Sequence, residues 1–144
     1  MLTVYEDLKL IWKNHNEGNL KVFQLAEGHE ELSSRPRSRS VAKQLKHMIK
    51  VRQQWLKTIK PVQKLASLES DADILASMDA SSAAIMNLIE LEQSGEKITG
   101  TKSMMRLVSY LISHESHHRG QILLTLKLNA VKINRNDQYA LWKW

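Results

Sequence analysis

A chain of 144 residues with 42% hydrophobic and 25% charged residues has the size and balance of one globular domain that needs no covalent staple. Cysteine is absent, which excludes a disulfide framework, a thiolate metal site and a built-in thiol nucleophile, so a transition-metal site has to be assembled from His, Asp and Glu. The net charge of +6 is spread along the chain, with one local cluster at Arg35, Arg37 and Arg39 in "SSRPRSRS". That cluster reads as a solvated loop beside a proline, and no aromatic interleaving or zinc-finger spacing supports nucleic-acid binding.

The amino-terminal "MLTVYEDLKLIWK" mixes charges into its apolar residues and shows no signal-peptide core. No stretch reads as approaching the roughly 20 apolar residues of a membrane span, so a cytoplasmic protein is expected. Long patterns of 3.6-residue period dominate. Thr3 and Glu6 form a capping box that opens a first helix, and Tyr5, Leu8, Trp12, His15, Val22 and Ala26 follow to about residue 28. Ser38 or Ser40 caps a second helix through Val41, Leu45, Met48, Trp55, Leu56 and Ile59, which Pro61 stops.

Residues 62–70 read as a linker. Asp71 or Asp73 then starts a third helix with Ile74, Leu75, Met78, Ile85, Leu88 and Ile89, ended by Gly95. A fourth pattern runs from Thr101 to Asn129, about 40 Å of helix at roughly 1.5 Å per residue. The tail "NRNDQYALWKW" adds a turn from Asp137. The expected fold is all-α, a four-helix bundle in a single domain over residues 1–144, with no internal repeat.

The chemistry gathers in "LISHESHHRGQILL". A fourth-helix seam passes through Leu107, Leu111, His114, His118, Ile122 and Thr125, placing both histidines inside the bundle. Residues four apart lie about 40° apart on a helix, with Cβ atoms roughly 5–6 Å from each other, a spacing that suits two imidazoles converging on one ion. His117 points away by about 60° and is the weaker candidate. A third ligand is left open by the pattern. His47 lies at the flank of the second helix's apolar face, with Val51 and Trp55 continuing its side. His15 sits on the first helix's stripe and reads as a buried histidine bonded to Asn19 or a carbonyl, or as a support to a ligand. His29 reads as exposed.

The same string satisfies H-E-x-x-H from His114 to His118, the zinc-protease helix motif. That chemistry needs a third protein ligand, a glutamate aimed at the bound water and a substrate-binding edge strand. No strand is readable, and none of the 26 residues after His118 is histidine. Glu115 lies about 100° around the helix from His114, so it is expected to face a neighbouring helix or solvent. The protease reading fails.

"LISHESHHRGQILLTLKLNAV" resembles the H-x-x-x-H-R-G-Q segment of the DinB-like family, damage-inducible four-helix bundles that bind a divalent metal. "SRSVAKQLKHMIKVRQQWL" resembles that family's second-helix segment, where a histidine is followed by a tryptophan-leucine pair, and "YALWKW" is similar to its tryptophan-rich ending. The resemblance implies three metal ligands, His47, His114 and His118. It thereby selects His47 over His15 and His118 over His117. Gly120 and Gln121 match the motif as well. A glycine inside a helix costs about 1 kcal/mol against alanine, so close packing or approach to the site is the reason expected for Gly120. Arg119 is expected to face solvent or a helix-end carboxylate.

Three neutral imidazoles leave a zinc or nickel ion its full charge and open positions. Some members of the family are thiol-dependent transferases, so the resemblance implies a metal-dependent transferase that activates a low-molecular-weight thiol against an electrophile. The absence of cysteine fits a borrowed nucleophile. The alternatives are a non-catalytic metal-binding bundle and a metal-dependent hydrolase, the latter disfavoured because no core carboxylate is evident. The partners expected are a small-molecule substrate or thiol, with no nucleic acid and no membrane. A homodimer through the apolar third helix is a further option. Neither the length nor the carboxylate pairs of a DNA polymerase are present.

Overall fold

A computed structural model describes residues 1–59, 61 and 74–141. The described chain is a helical bundle: α1 (Val4–Ala26), α2 (Val41–Thr58), α3 (Ile74–Gln93), α4 (Met104–Leu128) and a short α5 (Arg135–Tyr139). Each of α1 and α2 packs against both α3 and α4, and α3 also touches α4.

The helix starts follow from side chains that satisfy the otherwise unpaired first N–H groups. Thr3 and Glu6 form the full capping box, and of the two serines Ser40 is the cap, accepting from the Lys43 amide. Two starts differ from expectation. α4 is capped by Ser103, whose Oγ accepts from the Arg106 amide at 3.2 Å, while Thr101 donates its hydroxyl to the Ser103 carbonyl. α5 is capped by Asn134, whose Oδ1 accepts from the Asp137 amide at 2.8 Å, so Asp137 sits inside the first turn and does not open it. Gly95 adopts φ 91° just past the end of α3, as a C-terminal glycine should. The linker, the Asp71 or Asp73 start and residues 142–144 of the tail lie outside the described residues.

Two apolar clusters fill the bundle. One joins Leu8, Trp12, Leu56, Ile85, Leu88, Leu107 and Leu111. The other joins Val22, Leu45, Met48, Ile49, Met78, Ile122 and Leu126. On α1 and α4 the chain passes from the first cluster to the second, and on α2 and α3 from the second to the first. α1 and α4 therefore run one way, α2 and α3 the other. Between the clusters lies a polar layer, with His15, Asn16 and Asn19 from α1, Arg52 from α2, Ser81 from α3 and Glu115 from α4, all buried.

The sequence reading of membrane-spanning length needs correction. α3 is long and apolar enough to cross a membrane by length and composition. Its scattered serines and acids hide an Ala-, Ile-, Leu- and Met-rich average. In the bundle its buried stripe, Ile74, Met78, Ser81, Ala84, Ile85, Leu88 and Ile89, faces the helices packed against it.

Candidate metal centre

α2 and α4 face each other along the bundle, and three histidines meet between them. His114 and His118 stand one turn apart on α4, and His47 reaches across from α2. One ring nitrogen from each lies within 4.8 Å of the other two. The Nε2 atoms of His47 and His114 are 3.3 Å apart. Two nitrogens bound at about 2.0–2.1 Å in a tetrahedral shell stand about 3.3 Å from each other, so this pair already has ligand spacing. The donor set is all imidazole. Among the described residues, the buried His114 Nδ1 has no hydrogen-bond partner. The residues therefore fit a divalent metal.

Electrostatics keep these rings in the form that binds metal. All three pKa values lie below the ordinary 6.5, with burial the largest cause in each. His118 is pushed furthest, to about 4, as burial is joined by the positive charge of His114, His47, His117 and Arg39. At neutral pH all three rings are uncharged and each offers a lone pair. Gln44, itself buried, faces the His118 Nδ1 with its Oε1 at 3.2 Å. A neutral ring that donates there keeps Nε2 as its free nitrogen, the usual way a protein selects a ligating tautomer. Tyr110 stacks on His114 with ring centres 5.9 Å apart and planes at 11°, and Trp55 meets Tyr110 edge-on at 5.5 Å.

Two clefts flank the histidines along α4. One of about 510 Å³ is walled by Trp55, Lys102, Arg106 and Tyr110, toward the start of the helix. The other, of about 450 Å³, includes His118 itself with Gln44, Arg35 and Arg39, toward its end. His117 is exposed and lines this second cleft, outside the three-histidine cluster. His29 is half-buried, where exposure was expected.

Glu115 takes the first of its two expected environments: it is fully buried against neighbouring helices, and the expectation that the core holds no carboxylate is overturned. Arg52 grips it with two parallel bonds, Nε to Oε1 at 2.6 Å and Nη2 to Oε2 at 2.8 Å. His15 Nε2 lies 2.8 Å from Oε2, and Asn19 donates to the same oxygen at 2.6 Å. The remaining Arg52 nitrogen, Nη1, donates to Asn16, the Met78 carbonyl and Ser81, and the guanidinium sits 4.6 Å from the Trp12 ring centre. Burial alone would raise the Glu115 pKa, but the Arg52 charge and bonds, with those of His15, hold it at about 2. His15 is buried as expected, with Glu115 its close partner and Asn19 a longer contact at 3.4 Å. Burial, helped by Arg119 and Arg52, outweighs the pull of Glu115 and lowers the His15 pKa.

A signal for this network was present. Met104, Val108, Leu111, Glu115, His118 and Ile122 follow strict 4-3-4-3-4 spacing, as Leu45, Ile49, Arg52 and Leu56 follow 4-3-4. One acid and one base on two apolar stripes are the pattern of a buried pair.

The H-R-G continuation behaves differently from expectation. Arg119 turns back to α1, donating to the His15 carbonyl at 3.3 Å and to Ser116 at 3.1 Å. Gly120 is exposed, and a Cβ there would meet nothing within 4 Å, so close packing does not explain it. The glycine that makes room is Gly18 of α1, where a Cβ would run into Arg119 Nη1.

Neither the curated proteins nor the solved structures contain a match to this chain. The DinB family model, in contrast, matches residues 1–132, nearly the whole bundle. With four packed helices and a histidine cluster drawn from α2 and α4, this chain belongs to the DinB family.

Proposed function

We propose that this protein is a metal-dependent transferase that joins a low-molecular-weight thiol to an electrophile, using His47, His114 and His118 to hold a divalent ion such as zinc or nickel. The observation that carries the reading is three uncharged imidazoles converging between two clefts. Such a set adds no negative charge, so a bound ion keeps the Lewis acidity needed to turn a thiol into a thiolate near neutral pH. His47, His114 and His118 supply the binding atoms, Gln44 orients His118, and Tyr110 braces His114. The chain has no cysteine, so the sulfur comes from a small molecule admitted by one of the clefts.

The state of Glu115 favours this reading over hydrolysis. Activating water calls for a carboxylate free to take a proton, and Glu115 is clamped by Arg52 with its pKa near 2, which makes it a poor base.

The test begins with metal content. Protein purified without added metal should carry close to one ion per chain, and His114→Ala and His118→Ala should carry almost none, with helical content unchanged by circular dichroism. Equal metal in wild type and both variants would show that the three histidines are not the ligands. The metal-loaded protein is then mixed with a panel of small thiols and a chromogenic aryl halide. Thioether formation faster than with free thiol, lost in the histidine variants, supports the transferase. No acceleration with any thiol would leave a non-catalytic metal-binding bundle as the better description.

A further inference from the structure

The arginine-rich segment between α1 and α2 is a built loop. Ser38 accepts from the Arg35 amide at 3.2 Å and donates back to the Arg35 carbonyl at 2.8 Å. Its hydroxyl also lies 3.2 Å from that of Ser34. Two backbone bonds, from Val41 to the Leu32 carbonyl and from Ala42 to that of Glu30, pin the loop to the start of α2. The Asn129 side chain holds the Ser33 carbonyl at 3.0 Å from the far end of α4. Arg37 takes φ 67°, a left-handed conformation uncommon for a residue with a side chain.

The result sorts the three arginines. Arg35 and Arg39 line the cleft of about 450 Å³ that His118 also lines, and Arg37 does not. Ser34, Ser38 and Gln44 add hydroxyl and amide groups, and among the described residues no carboxylate belongs to the lining. Arg39 makes no ion pair among the described residues. Guanidinium groups present a planar donor fork that matches the oxygens of carboxylate and phosphate. A cleft lined by two arginines that shares a wall with the histidine cluster suits an anionic ligand.

We propose that this cleft is an oxyanion subsite, in which Arg35 and Arg39 hold a carboxylate or phosphate group of the small molecule presented to His47, His114 and His118. The substrate class follows: the thiol or its acceptor carries an acidic group. The assignment of the anion to a reactant rests on the transferase reading, whereas the binding itself does not.

The subsite is tested by NMR titration of the arginine Nε–Hε and backbone amide signals in chelator-treated, metal-free protein, so that no ion captures the anion. The probes are succinate, inorganic phosphate and the neutral analogue succinamide, at low salt. Saturable shifts at Arg35, Arg39 and Gln44 with an anion, and none with succinamide, are expected, and the tighter anion identifies the group as carboxylate or phosphate. The double variant Arg35→Gln/Arg39→Gln should weaken binding by about tenfold, a few-fold for each exposed charge. Arg37→Gln should leave it unchanged, and metal content should be the same in all three proteins. Equal binding of succinate and succinamide, no saturable shift with either anion, or an Arg37→Gln loss as large as that of the double variant would overturn the proposal. With metal restored, the double variant should lose its preference for 3-mercaptopropionate over 2-mercaptoethanol. If the anion binds but no thiol reacts, the transferase reading falls and the subsite stands.

Discussion

His114 and Glu115 are neighbours in the chain, yet they belong to two opposite environments. His114 is half-buried, beside two other imidazoles, with its Nε2 at ligand spacing from that of His47. Glu115 is sealed in the core with both oxygens engaged by Arg52, His15 and Asn19. A turn of about 100° between successive residues separates a cluster with binding capacity to spare from one with almost none. The first can accept an ion. The second ties α1, α2 and α4 together across the layer between the two apolar clusters.

This contrast is open to test by mutation. The polar layer should respond most strongly. Glu115→Ala leaves the Arg52 charge buried and unpaired, which costs about 3–5 kcal/mol, so the thermal midpoint should drop by roughly 10 °C or more. Replacing both partners, Arg52→Met with Glu115→Leu, should recover most of that loss, since an apolar pair leaves no orphaned charge. A double variant as unstable as the single one would mean that Asn16, Asn19 and His15 depend on the pair more than its own charges do.

The histidine cluster should behave in the opposite way. His114→Ala and His118→Ala should abolish metal retention while shifting the metal-free thermal midpoint by only a few degrees, read by calorimetry after chelation. A metal-free collapse comparable to Glu115→Ala would erase the distinction between the two regions.

Acid should reach the polar layer through Glu115. Its folded pKa is near 2 against an ordinary 4.5, so the unfolded chain takes up the proton first. The stability it contributes is complete above pH 4.5 and is lost as pH falls from there toward 2. Thermal midpoints measured across that window should fall less steeply in Glu115→Gln than in wild type. An identical pH slope would show that the clamp does not set acid sensitivity.

The smallest effect expected is a gain. Gly120→Ala, at an exposed helical position with open space around it, should stabilise by about 1 kcal/mol without altering metal content. A loss of bound metal there would show that this glycine serves the site after all.

Much of this arrangement is legible in the residue order. Helical periodicity and the Thr3 and Ser40 caps define the helices, because hydrogen bonding and amphipathicity are local. The spacing of His114 and His118 is local too, and the likeness to H-x-x-x-H-R-G-Q supplied His47, which the pattern alone could not choose over His15. What residue order did not reveal depends on partners distant in the chain. Helical phase left Glu115 to face either a neighbouring helix or solvent, and Arg52, 63 positions away, with His15, 100 positions away, decided it. Arg35 and Arg39 are exposed, as a solvated loop implies, and only the packing of that loop against the end of α4 places them on the wall of the cleft that His118 lines. A side chain's chemistry is written in its own residue type and in its helical phase. Whether that side chain becomes a ligand, a clamp or an anion receptor depends on burial and on charges brought in from other helices, and those arise only when the bundle packs.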